Sequence, residues 1–190
     1  MDCPTDVIYY FYNRPCKIFE DFKLKNIVTK WCRGMPNVEY LEEIAAPFVD
    51  KNGILIVLDD FGNLIDRSIC DLFTVLSHSS RISVCYLSQC LFSKIPVFRD
   101  ISLNVTMMTI MRNPRDSSQI RYIANQIYPN RSKFVVDVYN SIMSEPYSYV
   151  FLDFHQKTLD FLRVRSSILP NEFPLRVFIP KDNCADLFDI

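Results

Sequence analysis

The chain has 190 residues, 49% of them hydrophobic and 14% aromatic, with 21 Lys plus Arg against 22 Asp plus Glu. That length suits one domain with a full core, read as residues 1–180 with a loose tail over 181–190, and that composition excludes a disordered chain. A formal charge of −1 excludes the basic footprint of a stand-alone nucleic-acid binder, so any DNA contact is expected to be local.

No apolar run approaches the ~20 residues that cross a bilayer. The stretch Met1-Asp2-Cys3-Pro4-Thr5-Asp6 lacks the basic and apolar regions of a signal peptide. A soluble, intracellular protein is therefore expected. Seven cysteines are an odd number, no CxxC occurs, and Cys70 and Cys85 lie inside apolar segments as small core residues do. Reduced thiols are expected rather than disulfides or a structural zinc site.

In chain order, Val7–Tyr12 is a β-branched and aromatic run stopped by Asn13-Arg14-Pro15, and it reads as a strand. From Cys16 to Trp31 the spacing of Ile18, Phe19, Phe22, Ile27 and Trp31 predicts an amphipathic helix. Asn37 is placed to cap a short helix that runs to about Ala46, where Pro47 ends it. The next run, Gly53-Ile54-Leu55-Ile56-Val57-Leu58-Asp59-Asp60, puts five apolar residues between a glycine and two carboxylates. That is the pattern of a strand buried on both faces in a parallel sheet.

Ile65, Ile69, Leu72, Phe73 and Leu76 recur with helical spacing up to Ser77-His78. Ile82–Leu87 reads as a further strand with Ser88-Gln89 at its carboxyl end, and Val105–Met111 as a third. Asn113-Pro114-Arg115-Asp116, with Asp116 and Gln119 as a capping box, announces a helix to about Ile127, and another spans Ser132 to Met143. Tyr147–Phe154 and Leu159–Val164 read as a hairpin, and Arg176–Ile179 as a short terminal strand. Strands alternating with helices predict an α/β fold with a largely parallel sheet and a C-terminal β-hairpin.

In such a sheet ligands bind beyond the carboxyl ends of the strands. Paired acids there are placed to face a metal-bound phosphate, which makes the Asp59-Asp60 strand look like a Walker B strand. His78 and His155 read as surface or packing residues.

The chain resembles the FtsK/HerA-type genome-packaging ATPases, and in particular those of Maverick/Polinton elements and large-DNA-virus lineages. The segments that carry the resemblance are Leu55–Asp60, Asp71-Leu72-Phe73-Thr74 with Ser77-His78, Arg81-Ile82-Ser83-Val84 running to Gln89-Cys90-Leu91-Phe92, Ile101-Ser102-Leu103-Asn104, and Asn113-Pro114-Arg115-Asp116 with Tyr128-Pro129. Together they cover roughly residues 50 to 180, and the string is more specific than any one motif. The resemblance implies a P-loop NTPase-like sheet of RecA/FtsK type, ATP and Mg²⁺ as cofactors, and double-stranded DNA with capsid or portal components as partners. It also implies a homo-oligomeric ring, in a host nucleus or cytoplasm or in a virion. Asp59 would hold Mg²⁺ directly or through water, and Asp60 would orient or deprotonate the attacking water while contributing to the metal site. Gln89 would be a sensor for the γ-phosphate, and Arg81 an arginine finger.

The chain departs from the family in one respect. A GxxxxGK[ST] loop should precede Val7, yet the only glycines are Gly34, Gly53 and Gly62. A truncated packaging ATPase, inactive alone, is expected, with its first strand and P-loop missing beside the Asp59-Asp60 strand and Ile54–Leu58 left as an exposed apolar edge. The alternatives are a non-enzymatic interaction module docking on an intact ATPase or a capsid component, and a metal-dependent nuclease built on Asp59 and Asp60.

Overall fold

A computed structural model describes residues 5, 7–48, 53–77, 82–89, 96–113 and 118–181. Contacts gather the chain into two compact units, residues 1–104 and 105–190, where the sequence suggests one domain over 1–180. The fold is α/β, with an all-parallel four-stranded sheet flanked by helices in the first unit and an antiparallel sheet in the second.

The first unit is built on strands β1 (Val7–Tyr12), β2 (Lys30–Arg33), β3 (Ile54–Asp59) and β4 (Ile82–Leu87), in the order β2-β1-β3-β4. All three pairings are parallel and in step at their ends, so Arg33, Tyr12, Asp59 and Leu87 form one row across the carboxyl edge. From β1 the chain moves outward to β2 and then returns past β1 to β3. The winding therefore reverses between β1 and β3, which is the switch point where sheets of this kind open a crevice.

Helix α1 (Ile18–Leu24) covers one face, where Phe19 lies 5.5 Å from Tyr10 and 4.7 Å from Trp31 between ring centroids. Helix α2 (Val38–Ala45) covers the other, with Tyr40 edge-on to Phe11. Its N-terminus is capped as expected, Asn37 Oδ1 accepting the Tyr40 amide at 2.8 Å. Helix α3 (Arg67–Asp71) continues as a π-helical turn over Leu72–Leu76. Helix α4 (Pro96–Asn104), which the sequence reading leaves unassigned, sets Phe98 against Tyr86.

Three expectations for this unit are corrected. The helix ends at Leu24 rather than Trp31, because Asn26 adopts φ 55° and the β-branched Val28-Thr29 lead into β2, where Trp31 packs on Tyr10. Ile54–Leu58 is no exposed edge: β1 and β4 pair on either side of it, and Ile54, Ile56 and Leu58 are fully buried. Cys85 is exposed while Cys70 is buried, since β4 lies at the margin of the sheet and turns Ser83, Cys85 and Leu87 outward. Cys16, Cys32, Cys70 and Cys85 are free thiols.

The second unit pairs β5 (Met107–Met111), β6 (Tyr149–Asp153), β7 (Val164–Ser166) and β8 (Arg176–Val177) in that order, all antiparallel. The segment Val105–Met111, expected as a third strand of a largely parallel sheet, thus pairs antiparallel in this other sheet. The hairpin is real but displaced, for Leu159–Leu162 forms a turn with a 3₁₀ segment at Asp160–Leu162 and pairing begins at Val164. Helices α5 (Ser118–Ile127) and α6 (Ser132–Ile142) bury Ile120, Ile123 and Ala124, and Val135, Val138, Tyr139 and Ile142. Asp153, 5% exposed, accepts from Arg165 Nη2 at 2.6 Å, Thr158 Oγ1 at 3.0 Å and the His155 amide at 3.1 Å. His155 Nδ1 in turn accepts the Lys157 amide, so this histidine builds a turn.

Candidate functional site

The carboxyl edge of the parallel sheet gathers three of the four residues singled out from the sequence. Asp59 is the last residue of β3, on the face covered by α1, and Asp60 follows it. Asp60 has φ 55°, a backbone region costly for most side chains but tolerated by aspartate, and its amide donates to Leu87 O at 3.2 Å. The chain turns sharply there, and Phe61, 2% exposed, anchors the turn in the core. Gln89 lies two residues beyond β4, and its Nε2 donates to Asp60 Oδ1 at 3.2 Å. Asp60 and Gln89 are both exposed.

Asp59 has a partner that the sequence reading missed. The hydroxyl of Tyr10 donates to Asp59 Oδ2 at 3.0 Å across 49 residues of chain. In register Tyr10 lies opposite Val57, so it meets Asp59 on the diagonal, a reach that a long aromatic side chain spans. Burial and the bond to Asp59 both push the Tyr10 phenol above its usual range, burial being the larger cause. Parity gives a sequence signal for the contact: Tyr12 and Asp59 each end a strand, so in neighbouring parallel strands Tyr10 shares a face with Asp59.

Arg81 and His78 lie outside the described residues, as do Arg115 and Asp116. A depression of about 490 Å³ opens beside β2 and the start of α2, lined by Phe11, Cys32, Arg33, Met35 and Tyr40 among others; Asp59, Asp60 and Gln89 are not part of its lining.

The donor set suits a hard divalent cation. Mg²⁺ prefers one or two carboxylates, with water and substrate phosphates completing its shell, and does not need an all-protein cage. Among the described residues no cluster of three or more His, Cys, Asp or Glu could hold a metal alone. Asp59 Oδ2 and Asp60 Oδ1 are engaged by Tyr10 and Gln89, and among the described residues Asp59 Oδ1 and Asp60 Oδ2 accept no side-chain hydrogen bond. Also among them, no helix is long and apolar enough to cross a membrane. No family model, curated protein or solved structure matches the chain.

Proposed function

We propose that the chain carries the carboxylate and sensor side of a nucleotide-hydrolysing centre, that of a DNA-packaging ATPase of the FtsK/HerA type. One observation carries this reading: Gln89 and Asp60 meet across the carboxyl ends of two adjacent parallel strands. An acid beside a polar sensor at that edge is the arrangement needed to orient a water against a terminal phosphate. In this reading Asp59 and Asp60 hold Mg²⁺, and Asp60 and Gln89 position the water. Bound Mg²⁺ would supply charge neutralisation at the phosphates. Double-stranded DNA, capsid or portal components and a ring of like subunits are the partners that go with the reading. The 190 residues contain no GxxxxGK[ST], so turnover by them alone is not expected.

The test is a Mn²⁺ titration followed by NMR. Amide signals of residues 58–61 and 87–89 should broaden first, more strongly with ATP present, and Asp59→Asn combined with Asp60→Asn should remove the effect. Diffuse broadening that ignores both substitutions would overturn the proposal. ATP turnover abolished by Asp60→Asn would instead overturn the inactivity.

A second reading, a non-enzymatic module that docks on an intact ATPase, is favoured by the position of β4. Among the described residues β4 pairs only with β3, and an open strand edge can add a partner strand. Light scattering after size-exclusion chromatography separates the two: a strictly monomeric chain that leaves an intact ATPase unbound contradicts docking.

A further inference from the structure

The Tyr10 ring is held from two sides before its hydroxyl meets any acid. It is 7% exposed, its centroid lies 5.5 Å from Phe19 and 5.0 Å from Trp31, and Val28 and Val57 complete the cluster. A ring so packed has little freedom at χ1 or χ2, so its hydroxyl is a fixed donor at the carboxyl end of the sheet. That donor meets Asp59 Oδ2 at 3.0 Å. An aspartate at the end of a strand otherwise samples several rotamers, and ordering it at the moment of binding opposes that binding.

We infer that Tyr10 is a positioning residue for the cation site: it ties one oxygen of Asp59 and so holds the carboxylate, with its other oxygen left for a cation, in a single orientation. The inference rests on the metal-binding reading of Asp59. Partners of metal-binding carboxylates are commonly worth 10- to 100-fold in affinity. Tyr10 stands in that relation to Asp59, with its ring set among Phe19, Val28, Val57 and Trp31.

The experiment uses the full chain, Mn²⁺ as the probe, and Tyr10→Phe beside Tyr12→Phe. Tyr12, opposite Asp59 in register, shares the face and meets Phe19 edge-on at 5.0 Å, so its variant removes a hydroxyl from the same cluster while leaving the bond from Tyr10 to Asp59 in place. Three quantities are read: the Asp59 χ1 population from three-bond couplings, without metal, the Mn²⁺ affinity, and the thermal midpoint. Tyr10→Phe should change one Asp59 rotamer into an average and weaken Mn²⁺ about tenfold, with the thermal midpoint close to that of Tyr12→Phe. Tyr12→Phe should change neither the Asp59 rotamer nor the Mn²⁺ affinity. An Asp59 rotamer that stays single in Tyr10→Phe, or Mn²⁺ affinity equal to that of the unsubstituted chain, overturns the role of Tyr10. If the unsubstituted chain itself binds no Mn²⁺ at Asp59, the metal-binding reading falls and takes the inference with it, a result distinct from the other two.

Discussion

The side-chain amide of Gln89 donates to Oδ1 of Asp60 over 3.2 Å, tying the segment that leaves β4 to the turn that leaves β3. Both residues are exposed, so the bond adds little to folding. Gln89→Ala is expected to change unfolding free energy by no more than about 0.5 kcal/mol while allowing Asp60 to move. Urea titration checks the first part. The second is checked by the relaxation of the Asp60 amide, which should gain fast motion relative to the unsubstituted chain.

Asp60 stores a backbone cost at the site. With φ at 55°, glycine should adopt the same turn more readily than aspartate and a β-branched residue far less so. Asp60→Gly is expected to be neutral or to stabilise by up to about 1 kcal/mol, and Asp60→Val to destabilise by about 1–3 kcal/mol. Both should lose the Mn²⁺ response. Paired urea curves decide it, and equal stability for the two variants would contradict a left-handed Asp60.

Ile56 is fully buried at the centre of β3, between β1 and β4. Ile56→Ala should cost about 2–5 kcal/mol, since three methyl or methylene groups are lost and the flanking strands cannot collapse into the space. Fluorescence of the single tryptophan, Trp31, reports the loss from within the same unit.

In the second unit, Arg165→Met would leave the carboxylate of Asp153 buried without its cation. A cost near the low end of the 3–5 kcal/mol range, about 3 kcal/mol, is expected because the Arg165 side chain is itself 22% exposed. Hydrogen exchange at the amides of β6 should accelerate accordingly, and unchanged protection would show that Thr158 and the His155 amide suffice.

Tyr10, Tyr128 and Tyr149 should ionise late. Burial raises the phenols of Tyr10, Tyr128 and Tyr149; the bond to Asp59 adds to the first, the charge of Asp160 to the second and the bond to Glu172 to the third. A phenol whose pKa is raised by folding contributes stability that is whole below the unfolded value, near 10.0, and is lost as pH rises toward the folded value. Stability should therefore decline above about pH 10. Absorbance at the phenolate band should show these tyrosines titrating only as the fold opens, and ten ionisations on a single ordinary curve would contradict their burial.

The sequence by itself determined the elements whose signals are local. The run Ile54–Asp59 reads as a buried strand because an unbroken apolar stretch needs cover on both faces, and Asn37 reads as a cap because its side chain bonds an amide three residues away. The placement of Asp59, Asp60 and Gln89 on one edge followed from chain order and the rule that parallel strands point the same way. Trp31 escaped that reading, since aromatic spacing at three and four residues is shared by a helix and by a short helix followed by a strand. Only packing against Tyr10 and Tyr12 selects the strand. Met107–Met111 has the composition of any strand, and its antiparallel partner lies some 40 residues on, so pairing with β6 was a matter of tertiary structure. The same holds for Tyr10 and Asp59: a hydrogen bond across 49 residues exists only once β1 lies beside β3, and no local pattern records which strands become neighbours.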